Sequence, residues 1–128
     1  MKKVLTLLFI ATVFLSCSSN NNDLIQEESL VGRWHLVGFE KTVLYEFTND
    51  LRHTIYSTDG NFGSLSDAIP NPNPWTYDGK ELTIDLHFGN SLKASLDFKC
   101  NNNVVHLIAS SGTTILYREG YNYKNCTE

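Results

Sequence analysis

Histidine, cysteine and carboxylate side chains carry most of the chemistry open to a chain of this kind, and here they are thinly spread. The 4 histidines, His35, His53, His87 and His106, each fall on a different predicted strand. His87 lies two residues from Asp85, so on a strand both would project from one polar face, where a metal ion could use them as a pair. A metal site asks for three or four such ligands, and no His-x-x-x-His, Cys-x-x-Cys or His-Glu-x-x-His spacing completes the set. Asp85 and Asp97 could face one another across a hairpin as paired carboxylates. Acid and base work, however, needs them in a cleft with shifted pKa values, and the alternation of the strands puts them outside. There is no Gly-x-Ser-x-Gly elbow, no phosphate-cradling loop and no nucleophile beside a base. The residues therefore predict no metal, no cofactor and no catalytic group, and an enzyme is the class they support least.

The elements that would have to position any site are bounded by size and charge. With 128 residues, 41% hydrophobic and 12% aromatic, the chain is long enough for one globular domain and too short for a Rossmann domain or a TIM barrel. Met1, Lys2 and Lys3 form a basic head, and Val4 to Leu15 is an apolar run broken only by Thr6 and Thr12. That is the pattern of a signal-peptide core, shorter than the roughly 20 apolar residues of a spanning helix. Without residues 1–16, 8 basic side chains face 14 acidic ones, a net charge of −6. No basic stripe is left for nucleic acid or for electrostatic docking on anionic lipid.

The run ends in Phe14-Leu15-Ser16-Cys17, which resembles the lipobox of bacterial lipoproteins, with Phe14 where Leu is commoner. The looser box looks like those of Bacteroidota-type bacteria. The resemblance implies cleavage before Cys17, a diacylglycerol on its thiol and an acyl group on its new amino terminus. Residues 1–16 are then a signal peptide, 17–29 the lipidated cysteine and a flexible tether, and 30–128 the folded domain. Acyl chains of that kind hold a protein stably at a membrane. Ser18, rather than Asp, resembles an outer-membrane sorting choice, and Asp23, Glu27 and Glu28 resemble an acidic surface-display signal that begins late after the cysteine. The expected address is the cell envelope, lipid-anchored at the outer membrane, on its periplasmic face or the cell surface. An exported location also permits Cys100 and Cys126 to pair. Cys100 ends a strand in phase with Phe98, and Cys126 sits in a polar tail with little else to hold it. Bridge geometry decides between this disulfide and two free thiols.

From Leu30 onward, turn signals recur about every ten residues: Asn49-Asp50, Asp59-Gly60, Asp78-Gly79, Gly89-Asn90, Asn101 to Asn103 and Ser110 to Gly112. Between them Leu82, Ile84, Leu86 and Phe88 alternate with Glu81, Thr83, Asp85 and His87. Leu92, Ala94, Leu96 and Phe98 do the same against Lys93, Ser95, Asp97 and Lys99. Period two means strand, and a hairpin through Gly89-Asn90 sets the two apolar faces side by side. Arg33 to Phe39, Val43 to Thr48, Leu51 to Ser57, Pro74 to Tyr77, Val104 to Ala109 and Thr113 to Glu119 bring the strands to eight. An antiparallel, up-and-down, eight-stranded β-barrel is the simplest closure, because it leaves no exposed edge; a two-layer sandwich is the competing arrangement.

Leu30-Val31-Gly32-Arg33-Trp34, just before the first strand, resembles the Leu-x-Gly-x-Trp opening of lipocalin-like domains. Tyr45-Glu46-Phe47 and Trp75 to Leu82 look like the same family, so the likeness covers most of residues 30–119. It implies that Gly32 allows a tight turn into the barrel and that Trp34 closes its bottom under a basic residue of the last strand, here Arg118. An Arg over a Trp face is a sound pairing in its own right.

One long break remains, Gly60 to Asn73, with Phe62, Leu65 and Ile69 set among Gly, Ser, Asn and Pro. A loop of this length is often functional. These side chains could form a lid on the barrel mouth, a partner-binding tip, or staples that hold an irregular crossing to the rim. By alternation Tyr45, Phe47, Leu82, Leu86, Leu96, Phe98 and Leu107 point inward, so the lower half should be packed beneath a shallow apolar pocket at the mouth. The expected function is a membrane-anchored binder of a small apolar molecule, with Phe62, Leu65, Ile69, Tyr45 and Phe47 as its contacts. The alternative is a non-enzymatic interaction or structural module of an envelope complex, whose protein partner the sequence does not name.

Overall fold

The computed structural model describes residues 28–128, so the signal segment, Cys17 and most of the tether lie outside the described residues. Eight strands follow one another: β1 (Gly32–Leu36), β2 (Val43–Phe47), β3 (Leu51–Tyr56), β4 (Asn73–Tyr77), β5 (Leu82–His87), β6 (Asn90–Lys99), β7 (Val104–Ala109) and β8 (Gly112–Arg118). Each pairs antiparallel with the next, and β1 pairs with β8 through Trp34↔Arg118, His35↔Tyr117 and Leu36↔Leu116, which closes the barrel. Closure, rather than a sandwich, leaves no open edge in the sheet order. No helix among the described residues is long and apolar enough to cross a membrane.

Alternation builds the core. Trp34, Phe47, Leu82, Ile84, Ala94, Val105, Leu107 and Leu116 turn inward and are buried, and Leu30 joins them from below β1. Burying each large apolar side chain stabilises the fold by about 1.5–3 kcal/mol. Tyr45, Trp75, Leu92, Leu96 and Phe98 pack against this cluster while remaining partly exposed.

The β5–β6 hairpin departs from the expected pattern at Phe88. The pairing shifts register between Asp85 and His87, and Phe88 and Gly89 take φ of 53° and 77°. Two successive positive φ values suit the tight turn that matches strand twist. The turn is therefore Phe88-Gly89 rather than Gly89-Asn90, and Phe88 leaves the apolar face, 99% exposed. The same geometry separates the supposed carboxylate pair: Asp85 stands opposite Ser91 and Asp97 opposite His106.

The β3–β4 seam is narrow, with only Leu51↔Pro74 and Arg52↔Asn73 in register. Pro72 and Pro70 precede β4, and a proline has no N–H to extend a ladder. The chain before β4 instead patches the upper part of β3, where the Ile69 N–H donates to the Thr54 carbonyl oxygen at 2.9 Å. On β2 and β3, Leu44 and Ile55 face away from the core as direct cross-strand partners, yet both are 0% exposed. The long segment between β3 and β4 runs over this outer face. Phe62 meets His35 edge to face at 5.5 Å between ring centres, and Arg33 Nη2 donates to the Gly63 carbonyl at 2.9 Å. A single 3₁₀ turn, Leu65–Asp67, lies within the segment.

Candidate functional site: the open end of the barrel

The two ends of the barrel are chemically different. At one end the chain enters through Leu30, whose carbonyl accepts the Trp34 indole N–H at 2.7 Å. The Arg118 guanidinium carbon stands 4.3 Å from the Trp34 ring centre. Its nitrogens donate to the carbonyls of Asn102, Val31 and Ser29 at 3.1, 3.1 and 2.9 Å. Gly32 has φ of +128°, and a Cβ there would lie 2.7 Å from Arg118 Nη1, so the position takes glycine. Trp34, Gly32 and Arg118 thus form a plug of ring, guanidinium and carbonyls that seals this end.

The tail is tied to the same end. Cys100 and Cys126 are bridged, with their Cα atoms 5.7 Å apart. Tyr123 stacks on Tyr117 at 5.4 Å, and Tyr117 stacks on His35 at 5.1 Å. With Phe62 these rings form a four-member ladder up the outside of β1 and β8. His35 Nδ1 is buried within it and has no hydrogen-bond partner.

At the opposite end an interior cup of 290 Å³ is lined by Tyr45, Phe47, Arg52, Leu86, Leu92, Leu107, Thr114 and Leu116. Tyr45 and Phe47 belong to this lining. Phe62, Leu65 and Ile69 are absent from the lining, because the segment that carries them crosses the outer wall of β1–β3 instead of the mouth. Leu86 is 41% exposed because it stands at the rim, although it still faces inward. The floor is the packed cluster around Trp34, Phe47 and Leu116.

Arg52 is the one charged member of this lining, and residue-type reasoning passes over it. On β3 the apolar residues Leu51 and Ile55 look like the inward set. Register shows otherwise, since Arg52 sits opposite Phe47, and Thr54 opposite Tyr45. That register was the available signal. The Arg52 guanidinium carbon stands 4.6 Å over the Tyr45 ring centre, and Nη2 donates to Asn73 Oδ1 at 2.7 Å. Its Nε is buried without a partner. Burial holds its pKa below the usual arginine range, opposed by the Tyr45 and Tyr56 phenols.

The outer face holds a second arginine cluster that the sequence did not suggest. Arg33 donates Nε to Glu119 at 2.6 Å and Nη1 to Glu46 at 2.9 Å, joining β1, β2 and the chain just after β8. Its hydrogen bond to Glu119 is the main reason its pKa is raised, with Glu46 adding to it against desolvation. Below, outside the plug, a cleft of 440 Å³ lies between Glu28, Ser29, Leu30, Asn49, Asp50, Trp75, Thr76, Tyr77, Leu96 and Phe98. It is larger than the cup and was not foreseen, because it forms where the incoming chain, the β2–β3 turn and β4 meet.

The titratable residues singled out for chemistry are dispersed. The Asp85 carboxylate accepts the His87 backbone N–H at 2.7 Å, while the His87 ring lies 3.2 Å from the Asn71 carbonyl oxygen. Asp97 bridges to Lys99 at 3.2 Å. Among the described residues no group of three or more His, Cys, Asp or Glu side chains is placed to hold a metal ion.

The fold and its ends define an all-β, closed, eight-stranded antiparallel up-and-down barrel, an architecture compatible with the lipocalin-like fold. The chain matches no family model, no curated protein and no solved structure.

Proposed function

We propose that this chain is a non-catalytic, lipid-anchored protein of the cell envelope, at the outer membrane, that holds a small apolar molecule in the open end of its barrel. The anchor and address rest on the Lys2-Lys3 head, the apolar run and the box ending in Cys17. The single observation that carries the binding reading is the cup itself. At 290 Å³ it is close to the lower bound of about 300 Å³ for small-molecule sites, and its lining is mainly aliphatic and aromatic with one convergent charge. An eight-stranded barrel encloses just enough space for its own side chains or for one small ligand.

Titration with an environment-sensitive fatty-acid-like probe tests this. Single-site binding that is weakened by Leu86→Trp, which narrows the rim, is the expected result. Absence of probe binding, or indifference to Leu86→Trp, would overturn it.

A second reading, an interaction module of an envelope complex, is favoured by Phe88. Its ring is 99% exposed at the hairpin tip, and a partner protein would supply the apolar cover it lacks. Protein purified from its native membrane separates the two: a stoichiometric apolar molecule in the lipid extract supports the first, and a stoichiometric co-purifying protein lost on Phe88→Ser supports the second.

A further inference from the structure

We infer that Arg52 is an anion anchor inside the cup, and that the molecule held there is a carboxylate with a short apolar tail rather than a neutral lipid. This rests on the binding reading above and names the class of ligand. A guanidinium taken out of water needs hydrogen-bond acceptors, preferably charged ones. Arg118 and Arg33, the other two arginines with large hydrogen-bonded networks, have theirs: three carbonyls for the former, two carboxylates and a carbonyl for the latter. Arg52 has the neutral Asn73 amide oxygen, no carboxylate partner among the described residues, and a buried Nε with nothing to donate to.

Three features turn this deficit into a site. Arg52 lines the cup rather than the outer wall. The Tyr45 ring beneath it, at 4.6 Å, and the Asn73 bond on one nitrogen hold the guanidinium plane in place. A fixed plane presents its donors in the fork that matches a carboxylate. Around it, Phe47, Leu86, Leu92, Leu107 and Leu116 offer apolar surface for a tail and no second cation. The domain as a whole is acidic, so attraction must come from this residue and not from the protein's overall field. The cup's volume of 290 Å³ keeps that tail short.

Octanoate and 1-octanol, identical in tail and different in head group, are the probes, each titrated into the purified protein by calorimetry and by displacement of the fluorescent probe. Octanoate should bind at least about tenfold more tightly than octanol, the ratio expected of a hydrogen-bonded charged partner. Arg52→Met, which keeps the apolar stem, should abolish that preference, and Arg52→Lys should restore part of it. Equal affinity for the two in the wild-type protein overturns the anchor while leaving the cup reading in place, and this comparison needs no variant to fold. A preference for octanoate that persists in Arg52→Met also overturns it. Failure of both compounds to bind overturns the cup reading as well.

Discussion

The Arg118 guanidinium lies 4.3 Å over the Trp34 ring, and these two residues are also direct partners in the pairing that closes the barrel. The contact is thus at once the seam between first and last strands and the lid on the closed end. Arg118→Ala removes the stacking and leaves the carbonyls of Ser29, Val31 and Asn102 without that donor. A loss of about 1–2 kcal/mol is expected for a half-buried cation–ring contact. Urea denaturation should show it, while probe binding at the far end stays unchanged.

Gly32 supports the same plug from beneath. Gly32→Ala would place a methyl 2.7 Å from Arg118 Nη1 and force a β-carbon into a backbone at φ of +128°. The guanidinium tip could swing away only by giving up its bond to Val31. The variant should be destabilised by roughly 1–3 kcal/mol, and in the Arg118→Ala background the penalty should shrink to the backbone part alone. A double-mutant cycle measures that coupling.

The disulfide acts on a different part of the seam. Cys100 and Cys126 are separated by 26 positions, and the bridge holds a tail whose Tyr123 stacks on Tyr117. Val104, outward-facing opposite Tyr117, is 0% exposed in this setting. Reduction, or Cys126→Ser, should lower stability by about 2–4 kcal/mol. Limited proteolysis should then cut within residues 119–128 first, leaving the barrel intact.

How far the sequence could be read depends on where its pattern is redundant. β5 and β6 were legible because Leu82, Ile84, Leu92 and Ala94 repeat at period two, and all four do face inward. Phe88 obeys the same period and yet turns out, since a local bulge and three successive positive φ values, from His87 to Gly89, override alternation at a strand end. β3 defeats the reading in the opposite way. Leu51 and Ile55 are the apolar set, but an outer cover made by the long loop lets Ile55 be buried on the wrong side. That leaves Arg52 facing the cup, and only cross-strand register with Phe47 reveals it. The closed end was legible because the Leu30 to Trp34 opening holds Gly32 and Trp34, and its likeness to lipocalin-like domains points to a basic residue on the last strand, Arg118. The cleft at the incoming chain was not, because three distant segments make it.

Acid should loosen the β4–β5 turn. The Asp78 carboxylate accepts the backbone N–H groups of Glu81 and Lys80 at 2.7 and 2.8 Å. These bonds, the Glu81 one first, hold its pKa below the ordinary 3.8. A depressed folded-state value means a stabilising contribution that is complete above the unfolded-state pKa and is lost as pH falls through the folded one. Asp78→Asn keeps an acceptor oxygen without the charge. The variant should therefore be less stable than wild type at neutral pH, and the difference should vanish on acidification below the usual aspartate range. Urea midpoints measured across that pH interval check the sign.

Phe62 and Leu65 provide the sharpest separation between wall and mouth. If the loop that carries them is an outer cover, their apolar atoms exclude water from Leu44 and Ile55 and leave the cup untouched. Phe62 meets His35, a residue on the outward phase of β1, and the cup lining holds neither Phe62 nor Leu65. Phe62→Ser should then lower stability by roughly 1–2 kcal/mol through lost apolar burial, with Leu65→Ser, 40% exposed in the native protein, costing less. Fatty-acid-like probe affinity should stay within twofold of wild type in both. Hydrogen exchange should quicken at the Leu44 and Ile55 amides, whose strands lose their cover, and remain unchanged on β5 and β6. Weakened probe binding at unaltered stability would instead return the loop to the mouth as a lid.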